Sequence, residues 1–386
     1  MKPIYLDCHA TTPVDERVFA AMQPYFCDRF GNPGSTHLYG WETKSAIKLA
    51  RQTIAEAINA EPAEIIFTSG ATEANNLAIK GIAEAYMSQG RHIITVATEH
   101  SAVLDPCRYL ESLGFQVTYL PVESDGILDL EELEKAITPD TILVSVMAAN
   151  NEIGVLQPLE QIGAICRQKK VLFHSDAAQA IAKMPLDVQK LNLDLMSLTA
   201  HKVYGPKGIG ALYIRQKPKV RIAAQLQGGG QERGIRSGTL YPPQIVGFAK
   251  AIELGTSEMP VESQRLTELR DRLWGKLQIL SGVYLNGHPT LRLPGNLNLS
   301  FAGVDGSALL VGLQPVVALS AGSACAGTSS APSHVLTALG RKPKLARAAL
   351  RFGLGRFNTQ AEIDVVASSV ISQVSSLQGA ISSSNV

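Results

Sequence analysis

A single lysine, Lys202, stands in the stretch SLTAHKVYGPKG between two apolar segments. The first segment ends at Leu198, and the second begins at Ile209 after a turn rich in glycine and proline. A lysine is normally kept in water, so a lysine between two predicted core strands is a candidate for Schiff-base chemistry. A lysine that caps a strand end or pairs with a neighbouring acid explains this stretch equally well.

Other polar residues follow apolar runs in the same way. SGATEANN places Thr72 at a glycine turn that opens a helix, where backbone amides would bind a phosphate or where an ordinary helix cap would stand. Asp176 in HSDAAQA follows an apolar run, and a carboxylate there requires a cation or hydrogen-bond donors. Asn150 and Asn151 in ANNEIG would orient a ring substituent or organise a turn. His100 in TEHSAV is, taken alone, more typical of a structural histidine.

The elements that position these residues alternate in type. Short apolar, β-branched runs predict strands at residues 65–68, 92–97, 116–122, 141–148, 171–174, 195–198 and 209–214. Helical patterns at residues 41–59, 73–87, 103–113, 130–137 and 159–168 precede or separate most of them. This alternation predicts an α/β fold with a largely parallel sheet covered on both faces. The short turn between the last two strands predicts an antiparallel pair there.

The pattern changes after about residue 256. A long charged helix at residues 261–279, strands at 284–286 and 296–301, and helices near Ser307, Ser333 and Ala361 predict a smaller α+β domain. With 386 residues the chain exceeds the size of one growing core. We expect a large domain at residues 13–257 and a small domain made of residues 1–12 and 258–386.

Composition limits the class of protein. The formal net charge of +1 removes the electrostatic argument for nucleic acid or a charged membrane surface as a partner. No apolar run is long enough to span a bilayer, and the first residues, MKPIYLDCHATTP, do not form a signal peptide, so we expect a cytoplasmic protein. The five cysteines are scattered without a CxxC pair, which predicts neither a disulfide framework nor a metal site.

Parallel strands bring their carboxyl ends to one edge of a sheet, where ligands bind. A phosphate-binding turn, a lysine, a buried acid and a histidine that can stack on a ring are together what pyridoxal 5'-phosphate requires. In this interpretation Lys202 forms a Schiff base with the cofactor, and Asp176 keeps its pyridine nitrogen protonated.

Long motifs along nearly the whole chain carry a family resemblance: IYLDCHATTP, FTSGATEANN, TEHSAV, NNEIGV, HSDAAQA, AHKVYGPKG, GGGQERGIRSGT, SAGSAC and LRFGLGRF. The chain resembles the class V aminotransferase family, and within it the cysteine desulfurases of the NifS/IscS type. The resemblance implies a pyridoxal-phosphate-dependent transferase of fold type I, with a mostly parallel seven-stranded sheet in its large domain.

The resemblance also implies roles for matching residues. It makes Lys202 the Schiff-base lysine, Asp176 the partner of the pyridinium nitrogen, and His100 the ring-stacking group that helps to move protons. Its remaining assignments are Gln179 and Asn151 near the ring hydroxyl and the substrate, Ala71, Thr72, Thr199 and His201 at the phosphate, Thr239 at the phosphate of the other subunit of a homodimer, and Arg351 on the substrate carboxylate. How His100 and Lys202 divide the proton transfers stays open.

Cys325 lies in SAGSACAGTSSAPS, whose small residues without periodicity predict a mobile loop at about residues 320–332. A deprotonated thiol there is a good nucleophile, although an incidental surface cysteine is the alternative. The resemblance implies that Cys325 attacks the sulfur of L-cysteine, holds it as a persulfide while L-alanine leaves, and passes it to an acceptor such as an iron–sulfur scaffold protein.

Other functions on the same scaffold are a C–S lyase, a selenocysteine lyase or a non-catalytic scaffold for sulfur-transfer partners. Cys325 argues against the C–S lyase, because β-elimination needs no thiol nucleophile. Lys202 and Asp176 argue against the non-catalytic scaffold. The sequence departs from the common family pattern at Cys8 and His9, at Gly34, and in YPPQ after Thr239.

Overall fold

The computed structural model describes residues 2–321 and 332–384, with side chains described as far as residue 379. Cys325 and most of the loop predicted at residues 320–332 lie outside the described residues.

Strands occur in both halves of the chain. In order they are β1 (Ile4–Tyr5), β2 (Ile65–Thr68), β3 (His92–Val96), β4 (Gln116–Leu120), β5 (Thr141–Ser145), β6 (Leu172–Asp176), β7 (Leu195–Thr199), β8 (Gly210–Ile214), β9 (Val283–Leu285), β10 (Asn296–Phe301), β11 (Val317–Ala318), β12 (Ser320–Ala321) and β13 (Ala349–Gly353).

Helices connect and cover these strands. They are α1 (Glu16–Met22), α2 (Pro24–Cys27), α3 (Leu38–Glu56), α4 (Ala71–Tyr86), α5 (Ser101–Ser112), α6 (Leu130–Ala136), α7 (Leu159–Lys169), α8 (Pro242–Leu277), α9 (Gly306–Leu313), α10 (His334–Ala338), α11 (Pro343–Arg347) and α12 (Gln360–Ser384), with short 3₁₀ turns at Pro62–Glu64 and Glu232–Gly234.

The larger sheet has seven strands in the order β2-β8-β7-β6-β5-β3-β4. Its neighbours pair in parallel except β8, which runs antiparallel to both β2 and β7. Helices α3, α7 and α8 pack on one face, and α4 and α5 pack on the other. The predicted sheet, its burial on both faces and its antiparallel final pair are therefore confirmed.

The smaller sheet is antiparallel, in the order β12-β13-β10-β9. Its core joins leucine and phenylalanine side chains of β10 and β13 to the last turns of α8 and to α12. Strand β1 lies beside β11 in a separate parallel pair, so the start of the chain packs against this second core.

Helix α8 differs from its prediction. We expected a helix at residues 261–279, whereas α8 begins at Pro242 and runs for 36 residues through Pro260. Pro242 and Pro243 occupy the first turn, where a missing N–H costs little. Packing of both halves against the two cores keeps the helix continuous across Pro260, so this proline is not a boundary.

Within the described residues, no helix combines the length and the apolar character needed to cross a membrane.

Candidate active site

A cavity of about 530 Å³ opens at the carboxyl ends of the central strands of the larger sheet. Its volume is typical of a small-molecule site. Most residues predicted from sequence line it: Ala71, Thr72, His100, Asn151, Asp176, Gln179, Thr199, His201, Lys202 and Arg351.

Strand pairing brings the lysine and the acid to this cavity. Asp176 is the last residue of β6, and it pairs with Ser197 on the neighbouring parallel strand β7. Strand β7 ends at Thr199, and the turn that follows carries Lys202 to the cavity wall. Both side chains therefore lie at the same edge because the two strands end there together.

Asp176 is buried and receives hydrogen bonds from neutral groups. Asn75 Nδ2 donates to Asp176 Oδ2 at 2.6 Å, and the backbone N–H of Ala178 donates to Oδ1 at 2.9 Å. His174, on the same strand, has its pKa lowered to about 4 by burial and stays neutral. None of these partners is cationic, so the carboxylate can pair with a cationic group in the cavity.

The start of helix α4 suits an anion. Its N-cap residue, Gly70, makes no side-chain cap and has φ of 151°, a conformation that favours glycine. A Cβ on Gly210 would lie only 2.7 Å from Gly70 Cα, so the adjoining strand also requires glycine here. Thr199 Oγ1 is buried without a hydrogen-bond partner among the described residues. These features fit a phosphate group, which would accept from the first-turn amides and Thr199.

His100 is the N-cap of α5, and its Nδ1 accepts a hydrogen bond from the backbone N–H of Ala102 at 3.0 Å. Burial first, and then the charge of Lys202, lower its pKa below the usual value. The imidazole is therefore neutral with its proton on Nε2. His201 is also neutral, since burial lowers its pKa to about 4.

Arg351 lies in β13 with only 1% of its surface exposed. Its Nη2 donates to Asp7 Oδ1 at 2.7 Å, and its Nη1 donates to the backbone oxygen of Asn151 at 2.9 Å. Ser320 Oγ donates to the other oxygen of Asp7 at 2.9 Å. Asp7 thus fixes the guanidinium at the cavity wall. Sequence reasoning missed Asp7, whose only signal was its place in the first motif.

The two neighbouring asparagines have different surroundings. Asn150 Oδ1 accepts from the backbone N–H groups of Glu152 at 2.8 Å and Ile153 at 3.0 Å, so Asn150 organises the turn. Asn151 lines the cavity, and its Oδ1 has no hydrogen-bond partner among the described residues. Only the second amide is therefore available to a ligand.

Among the described residues, one predicted site residue, Thr239, does not line this cavity. Thr239 lines a separate surface depression beside Lys48 and Arg51, and the prediction assigns it to the other subunit. Cys325 lies outside the described residues. In the part of the chain that the structure describes, no group of three acidic, histidine or cysteine side chains is placed to hold a metal ion.

Residues 4–366 match the family described as aminotransferase class V. A human protein named cysteine desulfurase is 54% identical over 380 residues, which cover 98% of this chain and 83% of the human protein.

Two solved structures are also similar. One is described as a NifS-like protein, with a TM-score of 0.91 and 39% identity over 97% of this chain and 99% of its own. Another is SspA in complex with cysteine, with a TM-score of 0.83 and 39% identity over 92% of this chain and 100% of its own. With this extent of similarity and the site geometry above, the chain belongs to the class V aminotransferase family, among the pyridoxal-phosphate-dependent cysteine desulfurases.

Proposed function

We propose that this chain converts L-cysteine to L-alanine and leaves the sulfur as a persulfide on Cys325. The observation that carries the proposal is the convergence of Lys202, Asp176 and Arg351 on one cavity. The relatives named cysteine desulfurase and the structure of SspA with cysteine support the same reaction and substrate.

The residues of the cavity fit pyridoxal 5'-phosphate. Lys202 would bond to it, Asp176 would face the pyridine nitrogen, and Gln179 would face the ring hydroxyl. The phosphate would lie against Ala71, Thr72, Thr199 and His201. When bound, the cofactor supplies an electron sink that makes bonds at the substrate Cα and Cβ easier to break.

Arg351 binds the carboxylate of L-cysteine, because a guanidinium fork already held at two points loses little freedom on binding. Asn151 Oδ1 is the buried acceptor beside it. Lys202 Nζ and His100 Nε2 are the groups in the cavity wall that can carry protons to and from the substrate.

The sulfur transfer balances without an added oxidant. The Cys325 thiolate attacks the sulfur of the substrate, an S–S bond forms and the C–S bond of L-cysteine breaks. The electron pair left on carbon takes a proton, and the product is L-alanine. The persulfide then passes to an acceptor, for which an iron–sulfur scaffold protein is the proposed partner, in the cytoplasm.

A homodimer is the proposed assembly. Large apolar side chains are exposed near the N-terminus: Phe26, Phe30, Leu38, Tyr39 and Trp41. Phe26 packs edge-on against Tyr241 at 6.2 Å between ring centroids, which joins this surface to the segment that carries Thr239. An apolar surface of this kind supports burial against a second copy, in which Thr239 would reach the partner's phosphate site.

The test is product analysis in a single turnover with L-cysteine. We expect alanine in an amount equal to the sulfur bound to the enzyme, and loss of both products in Cys325→Ala while the visible absorption of the cofactor remains. Cys27→Ala is the matched control, because Cys27 is an exposed free cysteine that does not line the cavity. Pyruvate in place of alanine would identify a C–S lyase instead.

A further inference from the structure

Gln179, which would face the ring hydroxyl of the cofactor, is held by two residues with no assigned role, His9 and Lys183. His9 Nδ1 lies 3.1 Å from Gln179 Oε1, and Lys183 Nζ donates to the same oxygen at 3.4 Å. Gln179 Nε2 donates to the backbone oxygen of His9 at 2.9 Å. The amide therefore has three hydrogen-bond contacts with these two residues.

These partners permit one orientation of the amide. Burial lowers the pKa of His9 well below its usual value, so its ring is neutral with one N–H. Gln179 Oε1 can only accept, which places that hydrogen on His9 Nδ1. A flipped amide would set its NH₂ against two donors and its oxygen against a carbonyl. In the observed orientation, the second hydrogen of Gln179 Nε2 remains for a ligand in the cavity.

A second, smaller cavity explains how a lysine can lie here. It has a volume of about 50 Å³, lies on the other side of Lys202, and is lined by His9, Lys183 and Glu262, among others. Glu262 Oε1 and His9 Nε2 are buried without hydrogen-bond partners among the described residues. A cavity of this volume has room for roughly three waters, for which Lys183 and these two atoms would be hydrogen-bond partners.

The charge of Lys183 acts on the same amide. Burial, followed by the charge of Lys202, lowers its pKa to about 8, so the side chain is still mostly protonated at neutral pH. An ammonium beside Oε1 draws electron density toward the amide oxygen and makes the opposite N–H a better donor. The ring oxygen of the cofactor would then be held in its deprotonated form.

We propose that His9 and Lys183 are positioning residues that fix and polarise the amide of Gln179 toward the ring hydroxyl of pyridoxal phosphate. This inference rests on the proposed function, since it requires the cofactor. In this proposal both residues act through Gln179.

The experiment compares His9→Ala, His9→Asn and Lys183→Met with Lys219→Met. Lys219 is exposed, follows β8 in the chain and does not line the cavity. Asparagine can place its Nδ2 where His9 has Nδ1, so it keeps the donor that alanine removes. Two properties of the purified protein are measured: the dissociation constant of pyridoxal phosphate from apoprotein, and the pH midpoint of the visible absorption of the bound cofactor.

His9→Ala and Lys183→Met should weaken cofactor binding about 2- to 10-fold and move the pH midpoint upward by about 0.4 to 1 unit, because a protonated ring oxygen is then less disfavoured. His9→Asn and Lys219→Met should match the unmodified chain. If His9→Ala and Lys183→Met leave both properties unchanged, the inference is wrong, even where they lower thermal stability. If the unmodified chain shows no cofactor absorption, the proposed function fails instead.

If His9→Ala or Lys183→Met fails to fold, His9→Asn and His9→Gln still test whether the Nδ1 donor of His9 acts on the cofactor. Glutamine places its donor nearer to the position of Nε2 than of Nδ1, so it should shift the pH midpoint upward where asparagine does not. Equal midpoints for these two variants would overturn the inference.

Discussion

The two sheets supply the site in different ways. On the larger sheet, Asp176 and Lys202 take their positions from the ends of adjacent parallel strands, so strand register alone places them. On the smaller sheet, Arg351 lies within β13 and is oriented by Asp7, which is 344 positions earlier in the chain. The cofactor side is therefore positioned by the backbone, whereas the substrate side is positioned by contacts between distant segments.

The two sides also differ in charge. In the contacts above, Asp176 accepts hydrogen bonds only from neutral donors, which leaves it able to pair with a cationic ligand. Arg351 is already paired with a carboxylate. Substitutions on the cofactor side should therefore affect chemistry, and substitutions on the substrate side should affect stability and binding as well.

The largest expected effect is on the cofactor side. Lys202→Ala should abolish covalent cofactor attachment and lower alanine formation about a thousandfold or more, because the lysine is also a proton carrier. Mass spectrometry after borohydride reduction measures the attachment. Cofactor still covalently bound in this variant would refute the assignment, and Lys219→Ala is the control.

Asp176→Asn should have the next largest effect on activity. The amide can preserve a hydrogen bond but not the negative charge, so kcat should fall about 100-fold, as when one electrostatic contact to a reacting group is removed. Steady-state kinetics and thermal unfolding are measured together, with the exposed Asp140→Asn as control. A loss of stability without a loss of kcat would show that Asp176 has a structural role and does not take part in the chemistry.

Asp7→Asn tests the substrate side. Removal of one partner leaves the buried guanidinium of Arg351 unpaired, so the free energy of unfolding should fall by about 2 kcal/mol, somewhat less than for a fully buried pair because Asp7 is partly exposed. Urea denaturation of the purified protein measures it. An unchanged midpoint would show that backbone packing holds Arg351 without Asp7.

The smallest expected effect concerns Glu152. Burial raises its pKa from 4.5 to about 7, so the folded chain binds a proton that the unfolded chain releases above pH 4.5. Its contribution to stability is thus fully present below pH 4.5 and is lost as the pH rises to about 7. Glu152→Gln should flatten the fall in melting temperature between pH 5 and 8. Glu131→Gln, at an exposed glutamate, should leave the slope unchanged.

The sequence predicted the cofactor side better than the substrate side. The strands that carry Asp176 and Lys202 are apolar runs whose burial on both faces leaves a strong local pattern. Strand β13, which carries Arg351, was not predicted, because an arginine and a glycine interrupt its short apolar run. Asp7 and His9 gain their roles only from residues far away in the chain, and no local pattern reports such contacts. Lys183 contacts Gln179 four positions earlier, but no sequence motif indicated that contact. The proposed domain bounds stay a prediction.

Helix α8 has a mechanical consequence. At 36 residues it is roughly 54 Å long, and one end packs in the larger core while the other packs in the smaller core. It is therefore a rigid connection that is held at both ends, and not a flexible linker. Its weak point is Pro260, where the ring removes a backbone hydrogen bond. A bend of α8 between its two packed ends would therefore cost least at Pro260, and it would change the angle between Arg351 and the cofactor wall.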